Sequence, residues 1–414
     1  MPNPPQTFWV LDDFSANRPV LLGRLSIERL KGAESYAFEY DADWLKRTHL
    51  AWQLDPALKP RIGKLHAKRS CLFGLFADAS PDQWGQRLLM QQERRLADKD
   101  ERKPSKLYPS DFLLSVGDAT RQGGLRVALS LDDPLLVNKG DSEVASWETL
   151  PVLAMLSLRF ERNPFELSDA ELCQLVRAGA ALGGSRPKAT VIDRHQALWI
   201  AKFPSQRDTN DTGAWEMVVH DLAQRCGLRV SEAKLERFSS LGSTFLVKRF
   251  DRIGQRRVHC ASAMTLLGTT EDVSSYLDLV DIIRAQGAHP QADLVELWKR
   301  IVFNMVVSNT DDHLRNHAFI LEPTGWVLSP LYDVNPVPHG DALSLNVDEY
   351  DNRLHIGLAV RTAERFGISE SDAVTYAQSI QQTVQAHWER IAIQYDLSRE
   401  QIEAMRPAFN ANFE

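Results

Sequence analysis

The chain has 414 residues, of which 43% are hydrophobic and 25% charged; this excludes a largely disordered protein and a single small domain, and points to two or three domains. Its 48 Lys and Arg against 55 Asp and Glu give a net charge of −7, which excludes sequence-independent coating of DNA and leaves room only for a local basic patch. No apolar run approaches the roughly 20 residues of a membrane helix, and the N-terminus lacks the basic and apolar regions of a signal peptide, so a cytoplasmic protein is expected.

Phe8–Leu11 and Val20–Leu22 read as short strands around a turn. Ser35–Tyr40 alternates polar and apolar residues, the period of a half-buried strand. Pro81-Asp82-Gln83-Trp84-Gly85 opens a helix that runs through Leu88 and Leu89. The charged stretch Gln91–Lys106, interrupted by Pro104, reads as a solvated helix end plus a loop. A boundary is expected near residues 131–147, where Asp132, Asp133, Pro134, Gly140, Asp141 and Ser142 cluster. Ser168 and Glu171 have capping-box spacing ahead of Leu172, Leu175 and Val176. Ala189–Ile192 and Leu198–Phe203 read as strands joined by Asp193–Gln196. Trp215, Val218, Val219, Leu222 and Cys226 keep helical spacing, and Gly227 is placed to end that helix. Thr244–Phe250 is a further strand.

From about residue 261 the chain reads as helical. Leu294, Leu297, Trp298, Ile301, Val302 and Met305 make one apolar face. Val374, Ala377, Val384, Trp388 and Ile391 make another, and Ser398 with Gln401 starts a last helix. The expected class is α+β: a mixed N-terminal domain, then a small β-containing lobe and a mainly helical lobe. That order of lobes is the one found in protein kinases. Cys71, Cys173, Cys226 and Cys260 are scattered with no C-x-x-C pair, and read as reduced core thiols.

The segment Ser308–His317 carries the strongest chemical signal. Asp311 and Asn316 are separated by four residues, the spacing of a phosphotransferase catalytic loop. In such a loop the Asp accepts the proton of the attacked hydroxyl and the Asn holds Mg²⁺ through its carbonyl oxygen. Asp333 follows a strand over Gly325–Leu328 and suits a second Mg²⁺ ligand. Lys202 lies in an apolar strand, where an ammonium needs an anion such as nucleotide phosphate. Glu216, on the next helix, could hold that lysine in place. Gly183 and Gly184, in Gly183-Gly184-Ser185-Arg186-Pro187-Lys188, could bring backbone N–H groups close to phosphates, although the loop is neither a Walker loop nor G-x-G-x-x-G. The bland alternatives are an Asx-turn at Asp311, an edge-strand Lys202, a solvated Glu216 and a plain turn at the glycines. His313 and His317 lack the H-E-x-x-H pattern, so a zinc hydrolase is not expected and loop-orienting hydrogen bonds are.

With these residues in place, the chain resembles the HipA-like toxin serine/threonine kinases over most of its length. Asn309-Thr310-Asp311-Asp312-His313 with Arg315-Asn316 is similar to that family's catalytic loop, and Tyr332-Asp333-Val334 to its second metal motif. Lys202 matches its nucleotide-binding lysine, and Val247-Lys248-Arg249-Phe250-Asp251-Arg252 the segment between its lobes. Phe73–Asp78, Pro81–Gly85, Gly117-Asp118 and Gly123-Gly124-Leu125 resemble its N-terminal domain.

The resemblance implies three domains: residues 1–145 N-terminal, 146–260 the nucleotide lobe and 261–414 the helical catalytic lobe. It implies an ATP- and Mg²⁺-dependent serine/threonine protein kinase, the toxin of a toxin–antitoxin pair. Its implied target is a protein such as an aminoacyl-tRNA synthetase. A small helix-turn-helix antitoxin is the implied partner, with DNA contacted mainly through it. Asp311 is the implied base, and Asn316 and Asp333 the metal ligands. Gly183, Gly184, Ser185, Lys188, Lys202, Val247, Lys248, Phe250 and His313 are the implied ATP contacts, supported by Glu216. A small-molecule kinase and a non-catalytic antitoxin-binding co-repressor subunit are the rival readings. Ala181 stands where the family has an autophosphorylated serine, so inactivation by that route is not expected.

Overall fold

The computed structural model describes residues 6–30, 32–47, 53–68, 71–131, 144–181, 184–269 and 274–410. The fold is mixed α and β, as expected. The chain forms two compact units, Met1–Gln206 with Asp251–Ala261, and Arg207–Phe250 with Ser262–Glu414.

The first unit begins with an antiparallel sheet of β1 (Gln6–Asp12), β2 (Val20–Leu30), β3 (Ala33–Tyr40), β4 (Lys64–His66) and β5 (Leu125–Ala128), in the order β4-β3-β2-β1-β5. Strand alternation puts one apolar row across four strands: Phe8 pairs with Leu25, Leu25 with Phe38, and Phe38 with Leu65. All four side chains are buried, each contributing roughly 1.5–3 kcal/mol. The longer helices of this unit are α1 (Gln83–Lys99), α2 (Leu150–Arg162) and α3 (Asp169–Gly179). Ser168 and Glu171 form the capping box that starts α3. A smaller sheet has β6 (Ala145–Ser146) parallel to β7 (Lys188–Ile192), and β7 antiparallel to β8 (Leu198–Lys202). The β7–β8 turn is set by Asp193, whose carboxylate accepts from the N–H groups of His195 and Ala197 and from Trp199 Nε1.

The second unit starts with α4 (Thr212–Arg225), which ends at Gly227 in the left-handed region. The hairpin β9 (Ala233–Ser239) and β10 (Gly242–Lys248) follows, then α5 (Tyr276–Gln286) and α6 (Pro290–Val306). A second hairpin pairs β11 (Ala318–Glu322) with β12 (Gly325–Leu328). The long α7 (Glu370–Gln394) and α8 (Arg399–Met405) close the unit. The core-facing stripe of α7 runs Ala373, Ala377, Ile380, Val384, Trp388 and Ile391. Trp388 stacks on Phe409 at 4.5 Å between ring centroids.

Two expectations need correction. The four cysteines are free, but only Cys260 is buried and Cys71 is exposed, so they are not a set of core thiols. The helix α6 is also not simply amphipathic. Besides its apolar face it buries Asp293, Glu296, Arg300 and Asn304, and these polar groups hold the loops described next. No described helix is long and apolar enough to cross a membrane.

Candidate functional site

In the first unit, Gly184, Ser185, Lys188 and Lys202 come together around the start of β7; Gly183 lies outside the described residues. Gly184 has φ +92°, a conformation open to glycine because it has no Cβ. A Cβ there would meet Lys188 Nζ at 2.4 Å, so the buried Lys188 side chain runs directly under the loop. Lys188 and Lys202 are cross-strand partners, which puts both side chains on one face of the sheet. The loop is gripped from a distant part of the chain. Gly184 N–H donates to Asp82 Oδ2 at 2.8 Å, Gly184 C=O accepts from Trp84 N–H at 3.1 Å, and Trp84 Nε1 donates to Lys188 C=O at 3.0 Å. Gly179 lets the indole approach, since a Cβ would lie 2.9 Å from Trp84 Nε1.

In the second unit, the catalytic-type loop starts where α6 stops. Asn309 N–H bonds to Asn304 C=O at 2.8 Å and Ser308 N–H to Met305 C=O at 3.2 Å, with Ser308 at φ +50°. This is a Schellman ending with serine in the position glycine usually fills. It turns the chain so that Asp311 is exposed while Asp312 is buried. Asn316 Nδ2 donates to Asp311 C=O at 3.0 Å, which commits its amide nitrogen and leaves the oxygen as its ligating atom. His313 caps the short turn Leu314–Asn316 and accepts from Asn316 N–H at 2.8 Å through its backbone carbonyl.

Asp312 is the anchor of the loop. Its Oδ2 accepts from Tyr276 Oη at 2.5 Å, Asn304 Nδ2 at 2.7 Å and His317 Nε2 at 3.0 Å. Burial works to raise the Asp312 pKa, but the charge and hydrogen bond of His317 and the bond from Tyr276 outweigh it and hold it below the ordinary carboxylate value. Burial, together with the Asp312 charge, pushes the Tyr276 hydroxyl well up.

The hairpin then returns the chain to the same place. Ala318 C=O accepts from Ser329 N–H at 2.9 Å, so Asn316 and Asp333 flank the open end of β11–β12. Tyr332 Oη donates to Arg315 C=O at 2.6 Å, tying together the neighbours of the two residues. Asp333 adopts φ +58°, an uncommon conformation that Asp tolerates better than most residues. Buried polar groups of α6 fix its approach. Arg300 Nη2 donates to Ser329 C=O at 2.7 Å, Asp293 Oδ2 accepts from Leu328 N–H at 2.9 Å, and Leu331 N–H donates to Arg229 C=O at 2.7 Å.

The remaining expected residues divide as follows. Val247, Lys248 and Phe250 lie at the end of β10 in the second unit; Phe250 packs on Tyr332 at 5.8 Å, beside Asp333. The Lys248 ammonium pairs with Glu232 at 3.2 Å. Glu216 is buried on α4 of the second unit, whereas Lys202 belongs to the first. Sequence reasoning gave no role to Asp312, Asn304, Tyr276, Asp82 or Trp84. For Asn304 the signal was available: an amide three residues beyond Ile301 on a helix otherwise rich in large apolar residues.

Among the described residues there is no group of three or more His, Cys, Asp or Glu able to hold a metal. Mg²⁺ uses one or two protein oxygens and completes its shell with phosphate and water, and the side chains of Asn316 and Asp333 offer oxygens of that kind. Gly184, Lys188 and Lys202 in one unit, and Asp311, Asn316 and Asp333 in the other, are residue types that phosphotransferases use.

Comparison with known proteins makes the assignment specific. Residues 180–388 match the HipA-like C-terminal domain, and the chain belongs to that family. It is similar to HipA of Shewanella oneidensis MR-1, solved with HipB and its operator DNA, at a TM-score of 0.63 and 15% identity over 94% of each chain. Two proteins of Sinorhizobium fredii are related in sequence. "Putative kinase Y4mE" is 29% identical over 42% of this chain and 40% of its own length; "Putative kinase Y4dM" is 24% identical over 46% and 56%. The chain thus spans about half the length of the curated relatives it matches.

Proposed function

We propose that this protein is an ATP- and Mg²⁺-dependent serine/threonine protein kinase of the HipA type. The observation that supports the proposal is the bond from Tyr332 to Arg315 C=O, which ties the neighbour of Asp333 to the neighbour of Asn316, while Asn316 is itself bonded to Asp311 C=O with its side-chain oxygen left to ligate. Asp311 would accept the proton of the attacked hydroxyl, and its exposure suits a macromolecular acceptor. Lys188 and Lys202 are cross-strand partners, so a polyphosphate chain on that face of the sheet would meet both ammonium groups. Gly184 and Ser185 would cover the phosphates, and Val247, Lys248 backbone and Phe250 would border the base. Bound Mg²⁺ would neutralise charge on the phosphate oxygens. Phosphoryl transfer requires little more than such positioning and charge compensation.

The similarity to a HipA solved with HipB and operator DNA supports a helix-turn-helix antitoxin as partner and a toxin role. We keep the three-part division, 1–145, 146–260 and 261–414, as a proposed division of labour. The test is transfer from γ-labelled ATP·Mg²⁺ into a bacterial lysate, parent beside Asp311→Asn. The expected result is a discrete protein carrying phosphoserine or phosphothreonine with the parent only. Label confined to small molecules would make the protein a small-molecule kinase. Equal label with both proteins would contradict the role of Asp311, and no label with either would favour a non-catalytic subunit.

A further inference from the structure

Asp312 and the backbone N–H of Asn335 are joined by two buried asparagines. Asn304 Nδ2 donates to Asp312 Oδ2 at 2.7 Å, Asn309 Nδ2 donates to Asn304 Oδ1 at 3.1 Å, and Asn335 N–H donates to Asn309 Oδ1 at 3.3 Å. Both side chains are at most 1% exposed. One end of this chain of bonds is a carboxylate, which only accepts, and the other a backbone N–H, which only donates. The orientation of each amide is therefore dictated by the ends, and the relay runs with a single polarity. A second strap runs beside it, from Val337 N–H to Ser308 C=O at 3.1 Å. Asp312 adjoins Asp311, and Asn335 lies two residues beyond Asp333, so the relay connects the neighbour of the proposed base to the segment of the proposed metal ligand.

We infer that Asn304 and Asn309 are positioning residues that lock the Asp311 loop and the Asp333 loop into one shared arrangement. This rests on the kinase reading of those two loops. A disturbance at the Asp312 end is then felt at the metal end. Tyr276→Phe keeps the packed ring and removes one of the three donors to Asp312. Asn309→Ala cuts the relay in the middle.

The experiment measures phosphate transfer as a function of Mg²⁺ for the parent, Tyr276→Phe, Asn309→Ala, the double variant and Asp311→Asn. Nucleotide affinity without Mg²⁺ and melting temperature are measured alongside. Each single variant is expected to raise the half-saturating Mg²⁺ concentration, by about tenfold for Asn309→Ala, the equivalent of one lost buried hydrogen bond. Metal-free nucleotide affinity should stay within about twofold. The double variant should fall short of the product of the two singles, because both act through one relay.

Parent-like Mg²⁺ curves with a lowered melting temperature would overturn the inference and leave the asparagines purely structural. So would effects that multiply. If Asn309→Ala does not fold, Tyr276→Phe decides alone, since its hydroxyl meets Asp312 and Asn304 at one end of the relay and leaves Asn309 untouched. If Asp311→Asn transfers at the parent rate, the kinase reading itself fails; if it is inactive while the relay variants keep the parent's Mg²⁺ curve, only the relay fails.

Discussion

The Gly184 turn and the loops of Asp311 and Asp333 are held in different ways. In the second unit, the loops of Asp311 and Asp333 are fixed by groups from one short stretch: α6, its Schellman ending and the β11–β12 hairpin, with Tyr276 as the main addition. In the first unit, the turn at Gly184 is fixed by Asp82 and Trp84, about a hundred positions earlier in the chain. One arrangement is braced locally, through buried polar groups that must all be satisfied at once. The other is braced from outside, through an element of the N-terminal part. Damage should therefore be all-or-none in the first case and graded in the second.

The largest effect expected is at Asp311. Asp311→Asn should lower the turnover rate by about 10²–10⁴-fold, the usual contribution of a positioned general base. Nucleotide affinity should not change, because the substitution keeps the loop's backbone bonds; steady-state kinetics beside a nucleotide titration checks both. An intermediate effect is expected at Asp82. Asp82→Ala frees the Gly184 N–H and should weaken ATP binding by about fivefold, with turnover at saturating ATP close to the parent's. A tenfold fall in turnover, roughly 1.4 kcal/mol, with unchanged affinity would show that the brace serves chemistry and not binding.

A further effect is expected with pH. His259, in the first unit, is buried and stacked on Phe14, and burial pushes its pKa down to about 4. The unfolded chain takes up that proton near pH 6.5 and the folded unit does not. Stability is therefore full above about pH 6.5 and falls as the pH drops toward 4, by at most about 3 kcal/mol. Asp312, in the second unit, has a lowered pKa, so its contribution persists until the pH falls below the ordinary carboxylate range. Hydrogen exchange at pH 5 should show amides around His259 less protected than at pH 7, with a smaller loss around His220 of the second unit, whose pKa burial also lowers. His259→Phe should flatten the first response.

The same contrast explains what could be read from the sequence. The capping boxes at Ser168 and Ser398 and the helix stop at Gly227 formed as expected, because each is settled by residues within one or two turns. Asp311, Asn316 and Asp333 were singled out by residue type and spacing, which are local features. The strand β9 was not. It carries Lys234, Glu236 and Arg237 and has no fully buried residue, so it offers no hydrophobic period and is held by backbone pairing to β10. Asp312, Asn304 and Arg300 were missed for the opposite reason. Polar side chains read as solvent-facing, and only the fold reveals that they are buried and mutually satisfied. The grip of Asp82 on Gly184 had no local signal, since it joins positions far apart in the chain.

The central proposal is that Lys202 contacts nucleotide phosphate, and Asp333 the Mg²⁺ that the nucleotide brings. Calorimetric titration of ATP into Lys202→Met and Asp333→Asn, each with and without Mg²⁺, tests it most directly. Lys202→Met is predicted to weaken binding by roughly tenfold under both conditions, the loss of one charge-assisted phosphate contact. Asp333→Asn is predicted to weaken it only when Mg²⁺ is present. Parent-like affinity for both variants under both conditions would contradict the claim.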